Sequence, residues 1–169
     1  MSEIEDEIEA LRAENRTHAR QLALKRLGRR ESSRLEMVRY LVGKKVSSET
    51  AESVVETLVS DGLIDDMRYA RMMIREQMMR GKGPIAIRMK LRVKGVAIEV
   101  AQIREWIQEM GGEGELEAAR KIVERRYPKA REDRKEASRA FQALLRRGFS
   151  AEIAREAIFK GAPSSNPLL

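Results

Sequence analysis

The sequence predicts an all-α protein of tandem three-helix repeats forming a curved, elongated array, and three observations lead there. Charged residues make up 36% of the 169 positions and aromatic residues only 4%, against roughly 25% charged in an ordinary globular domain, a mix that favours exposed helices over a sheet. Alternating apolar and polar runs rich in β-branched and aromatic residues, the mark of strands, are missing between residues 17 and 160. A nine-residue pattern also returns three times. Leu41-Val42-Gly43-Lys44-Lys45-Val46-Ser47-Ser48-Glu49 aligns with Leu91-Arg92-Val93-Lys94-Gly95-Val96-Ala97-Ile98-Glu99 and with Leu144-Leu145-Arg146-Arg147-Gly148-Phe149-Ser150-Ala151-Glu152, at spacings of 50 and 53 residues. Each copy reads as a helix end with basic residues, a tight turn, an apolar plug and the acidic start of another helix.

The elements follow in order. Residues 1–16 form an acidic N-terminal helical extension in which Ile4, Ile8 and Leu11 recur at helical spacing. This is a seam of about two heptads, too short to support oligomerisation, so a monomer is expected. The first repeat takes residues 17–66. Ser33 and Glu36 have capping-box spacing, which predicts a helix from Arg34 to Gly43. The second repeat takes 67–113. Gly83-Pro84 starts a helix, because proline in the first helical position sacrifices no hydrogen bond. Val96, Val100, Ile103 and Ile107 make the apolar stripe of the next one. The third repeat takes 114–161, with the box spacing again at Asp133 and Glu136 and a left-handed cap at Gly148. Residues 162–169, rich in Pro and Ser, read as a flexible tail.

Composition also excludes functions. The chain has no Cys, so disulfides, thiolate nucleophiles and cysteine-ligated zinc are ruled out. Its acidic start is unlike a secretion signal, and no run reaches the 18 or so apolar residues of a membrane span, so a cytoplasmic location without membrane contact is expected. The net charge of +7 suits a polyanion, or a partner already seated on nucleic acid. Asp65-Asp66 could share a cation, but no neighbouring carboxylate or histidine completes a site, and an N-cap ahead of Met67 is the better reading. His18, the one histidine, stands in a polar stretch without partners and reads as a surface bystander. Ser47, Ser48 and Ser150 hold helix-start positions, not the elbow of a nucleophile. No catalytic residue, cofactor or metal is therefore expected, and the chain reads as a non-enzyme.

The sequence also contains Ile64-Asp65-Asp66-Met67-Arg68-Tyr69-Ala70. It contains Gly81-Lys82-Gly83-Pro84 running through Ile87 and Leu91 to Lys94-Gly95-Val96, and then Arg146-Arg147-Gly148-Phe149-Ser150. In this order and spacing the strings resemble the hallmark segments of the RecX family over about residues 20–160. The stretch around Gly28 and Ser32 departs from the pattern, where a larger or aromatic residue is expected near Ser32. The resemblance implies a regulator in recombination, DNA repair and the SOS response. It implies an array lying in the groove of the RecA–DNA filament, limiting filament growth and damping ATP hydrolysis and strand exchange. Some direct binding of single- or double-stranded DNA, without sequence specificity, is implied too.

The candidate contact residues are basic ones that recur at related places in the repeats: Arg29, Arg30, Lys44, Lys45, Arg88, Lys90, Arg92, Lys94, Arg146 and Arg147. Lys82 joins them. Its Gly81-Lys82-Gly83-Pro84 string is a tight turn and not a P-loop, but a lysine beside a helix N-terminus could touch one phosphate. Met67, Met72, Met73, Met78, Met79 and Met89 read as core filling, with an adaptable contact patch as the alternative. Trp106 is expected in the core of the second repeat. The competing function is a stand-alone helix-turn-helix DNA-binding protein or transcription regulator, which short helices, Gly turns and positive charge would also suit.

Overall fold

A computed structural model describes residues 3–160; the tail expected at 162–169 lies outside the described residues. Among these the chain is helical throughout, with no strand: α1 Glu3–Leu27, α2 Arg34–Gly43, α3 Ser48–Ser60, α4 Asp66–Met79, α5 Pro84–Val93, α6 Val100–Glu109, α7 Glu115–Arg126, α8 Arg134–Arg147 and α9 Ala151–Phe159. They form three tandem repeats of three helices. The described residues divide into two compact units, one holding the chain up to Ala70 together with Lys94–Val96, the other holding Arg71–Val93 and the chain from Ala97 onward.

The predicted caps explain where several helices begin. Ser33 accepts a hydrogen bond from the Glu36 amide, Ser47 from Thr50 and Ser150 from Ile153, each at 3.2 Å. Asp65 is the N-cap of α4: its Oδ1 accepts from the Met67 and Arg68 amides at 2.8 and 3.0 Å. Those amides, Arg68 first, hold its carboxyl below the usual range. Both capping boxes are half-built, because the third-position glutamates do not reach back to the cap. Glu36 turns inward to other partners, and Glu136 accepts from the Lys129 amide. The second-repeat stripe is also shorter than its spacing suggested. Val96 lies in the turn, α6 starts only at Val100, and Ile98 takes a buried place ahead of the helix.

In the first unit, Ala19 and Ala23 of α1, Met37 and Leu41 of α2, and Ala51, Val54, Val55 and Leu58 of α3 close one core with Ile64. The 25-residue α1 runs unbroken through residue 16. What changes near there is burial, since residues 3–18 are all exposed. In the second unit, the third repeat packs Val123, Leu144, Phe149 and Ile158 among six alanines. Small side chains bring its helices close but contribute little apolar area each, so the few large ones, at roughly 1.5–3 kcal/mol apiece, dominate that core. Ser32 is fully buried and accepts from Arg26 Nε at 3.0 Å, so the small residue at this place makes a polar contact where a larger one was expected. Trp106 is buried as expected, with the Arg71 guanidinium 4.4 Å from the ring centroid. The methionines depart from expectation. Met73 is buried, but Met67, Met72, Met79 and Met89 are exposed.

The aligned turns share one geometry. Their fifth residues, Lys45, Gly95 and Gly148, all have left-handed backbone, with φ of 71°, 79° and 88°. In the first and third turns the amide of the sixth aligned residue donates back to the first aligned leucine, Val46 to Leu41 and Phe149 to Leu144. This closes the Schellman ring that satisfies the last carbonyls of a helix. Lysine in this conformation carries a strain of about 1 kcal/mol that glycine avoids. Lys45→Gly is therefore expected to raise stability by about that amount, read as a higher urea midpoint with unchanged slope.

Candidate interaction surface

The second and third turns each grip the start of an earlier helix. Within the first unit, the Ser33 hydroxyl donates to the Lys94 carbonyl at 2.6 Å. Gly95 leaves no room for a side chain, because a Cβ there would stand 2.7 Å from Leu35 Cβ. Within the second unit, the Gly83 amide donates to the Arg147 carbonyl at 2.8 Å and the Ile85 amide to the Gly148 carbonyl at 3.1 Å. These carbonyls satisfy amides at the start of α5, which every helix leaves unpaired.

The clasps divide the candidate basic residues into two groups. Lys94 Nζ lies 2.6 Å from Glu36, which is 8% exposed, and Arg30 approaches the same carboxylate at 3.2 Å. Burial pushes the Glu36 carboxyl up, but hydrogen bonds from Lys94 and Tyr69 and the charges of Lys94 and Arg30 outweigh it and hold the group below the usual range. Arg147 donates to the Arg80 and Gly81 carbonyls at 3.4 and 3.2 Å, closing the end of α4. Lys94, Arg30 and Arg147 thus have structural work inside the fold.

The others face solvent more freely. Arg29 and Lys45 are exposed, and Lys44 stands 5.8 Å from the Tyr40 ring, with Arg26 on the same ring at 4.5 Å. Lys82 is half-buried beside an apolar cavity of about 760 Å³ that Met78, Met79 and Ile107 also line. On α5, Lys90 and Arg92 are exposed and Arg88 makes one loose contact, 3.5 Å, with Glu99. Arg146 is exposed on α8.

Interleaved with the α5 cations is a feature that basic-residue counting missed. Ile85, Met89 and Val93 recur every fourth residue and are 38%, 55% and 63% exposed. The spacing puts them along one side of the helix. Single exposed apolar residues are ordinary, whereas a row of three beside arginine and lysine has the composition of a contact surface for another protein. Their four-residue spacing was visible in the sequence; the missing information was that α5 turns its other side, Ile87 and Leu91, to the core. Among the described residues, no group of three or more His, Asp or Glu could hold a metal ion, and no helix is long and apolar enough to cross a membrane.

Helical triplets in tandem, each with a left-handed turn between its second and third helices, define a tandem three-helix-repeat protein. Family models for the first, second and third three-helix domains of RecX match residues 19–58, 65–103 and 113–158. A regulatory protein RecX of Halorhodospira halophila is 37% identical over 146 residues, covering 82% of this chain and 84% of that one. One from Stenotrophomonas maltophilia strain K279a is 35% identical, covering 81% and 83%. A crystal structure of regulatory protein RecX superposes with a TM-score of 0.74 at 26% identity, over 90% of this chain and 76% of that one. The crystal structure of RecX from Lactobacillus salivarius has the same fold, with a TM-score of 0.72. The chain belongs to the RecX family of regulatory proteins.

Proposed function

We propose that this protein binds the RecA–DNA filament and restrains it, lowering ATP hydrolysis, strand exchange and filament growth in recombination and DNA repair. It does so as a non-catalytic, cytoplasmic monomer that needs no cofactor. Family membership supports the regulatory role, and the observation that carries the choice of a protein partner is the α5 surface. A protein that only gripped phosphates would need its cations there, but not the exposed row Ile85, Met89 and Val93. Lys90 and Arg92 steer the approach to a filament already carrying DNA, and the apolar row supplies the desolvated contact. Arg29, Lys44, Lys45, Lys82, Arg88 and Arg146 add positive charge, while Lys94, Arg30 and Arg147 act through the fold.

The test is RecA ATP hydrolysis on single-stranded DNA as the protein is titrated in, beside Met89→Ala/Lys90→Ala/Arg92→Ala. Lys94 stays intact in this variant, so the clasp on Glu36 is preserved. The intact protein is expected to inhibit below RecA's own concentration, and the variant, equally helical by circular dichroism, to need at least about tenfold more, equivalent to the loss of about 1.4 kcal/mol. Inhibition unchanged by the triple substitution would move the contact off α5. No inhibition by the intact protein, together with a footprint at one DNA sequence, would favour the stand-alone DNA-binding reading, because base preference comes from base-edge contacts and not from phosphates.

A further inference from the structure

On the third repeat, Tyr127, Ser138, Arg139, Gln142 and Arg146 line an open recess of about 470 Å³. We propose that it takes one nucleotide of a single-stranded nucleic acid. This adds a direct nucleic-acid contact to the filament reading above and rests on it. Ser138, Gln142 and Arg146 succeed one another at four-residue intervals along α8, with Arg139 adjoining, so one side of a single helix presents them. Tyr127 ends α7, where its amide donates to the Val123 carbonyl at 2.7 Å and its side chain packs against the third-repeat core.

None of these five side chains has an intramolecular hydrogen-bond or ion-pair partner among the described residues. That sets Arg146 apart from its neighbour Arg147, which is held by two carbonyls. The acids at the start of α8 are engaged with backbone, Asp133 with the Lys135 amide and Glu136 with the Lys129 amide. Arg125 and Arg126 stand on the last turn of α7, just before Tyr127. The recess thus combines two free guanidiniums for phosphate, a hydroxyl and an amide able to donate and accept, and an aromatic surface anchored from behind. Stacking on an aromatic side chain beside a cationic track is how single strands are held without sequence preference. An acidic peptide would use the guanidiniums but has no need of the ring. The volume lies within the roughly 300–1,000 Å³ of small-ligand sites.

The test is fluorescence anisotropy of a labelled oligothymidylate with the full chain and no RecA, at several salt concentrations. Arg139→Gln/Arg146→Gln is expected to weaken binding about tenfold and to flatten the log K against log salt slope by about 1.4, or about 0.7 for each phosphate no longer neutralised. Tyr127→Leu, which keeps an apolar side chain on the core, is expected to weaken binding by about tenfold with the slope unchanged, and Tyr127→Phe to restore it. An oligonucleotide carrying 5-iododeoxyuridine should photocrosslink to the peptide containing Tyr127. Wild-type affinity and slope in the double-arginine variant would overturn the proposal, as would equal competition by polyglutamate, or no binding by the intact protein. Because RecA is absent, failure here leaves the ATPase titration as an independent test of the filament reading.

Discussion

Gly148→Ala is expected to cost about 4 kcal/mol, a large share of the roughly 5–15 kcal/mol that holds an ordinary domain together. Part of this is conformational: Gly148 has φ of 88°, and any residue with a Cβ carries about 1–2 kcal/mol of strain there. The larger part is contact. The new Cβ would stand 2.3 Å from the Ala86 nitrogen and Cβ, so the turn must withdraw from α5. Withdrawal breaks the bonds from the Gly83 and Ile85 amides, and a donor left unpaired at buried Gly83 costs about 1–3 kcal/mol. Gly111→Ala, in the same unit, is the control. Gly111 has φ of 71° and nothing within 4 Å of its would-be Cβ, so about 1 kcal/mol is expected. Urea unfolding followed by Trp106 fluorescence, which reports on the same unit as Gly148, measures the difference. Equal losses would show that backbone strain alone matters and that the clasp contributes nothing.

Glu36→Gln is expected to cost about 2 kcal/mol at neutral pH. The substitution keeps the shape but takes the charge-assisted bonds from Lys94 and Arg30 and leaves those cations facing a neutral amide. The figure is set below that of a sealed ion pair because the Lys94 and Arg30 side chains are 31% and 56% exposed, and water screens them. Glu36 ionises more readily folded than unfolded, so it stabilises the fold above the ordinary carboxylate range. That contribution is lost as pH falls through the depressed folded value. The gap in stability between wild type and variant should therefore be widest near neutrality and shrink on acidification below about pH 4.5. A gap that stays constant between pH 7 and pH 3 would mean that the carboxylate's charge is not what the substitution removes.

Much of the fold was legible because it is written in local chemistry. Ser33, Ser47, Asp133 and Ser150 cap helices whatever else surrounds them, Pro84 starts α5, and the left-handed turns recur where the aligned strings placed them. The interaction surface was only half legible, since charge says nothing of direction. Lys44, Lys94 and Arg147 hold the same place in the aligned turns. Two of them are spent on contacts with chain more than fifty residues away, Lys94 on Glu36 and Arg147 on the Gly81 carbonyl. Of the recess residues only Arg146 was among the candidates, and the other four were missed for a related reason. Tyr127 and Arg139 belong to no repeated string, and only the packing of α7 beside α8 brings them to one place.

The three turns also make the chain directional. Gly95 and Gly148 are pressed against earlier helices, whereas the Lys45 side chain is exposed. The start of α8, by contrast, is capped by its own Asp133, whose Oδ1 accepts from the Lys135 amide. Duplication and recombination of the gene would therefore find only some insertions viable. A copy of the middle repeat brings both a glycine turn and a helix start ready to be gripped. A copy of the first repeat placed downstream would push a lysine side chain into the space that Leu35 or Ala86 fills, so a downstream copy needs a glycine in that place.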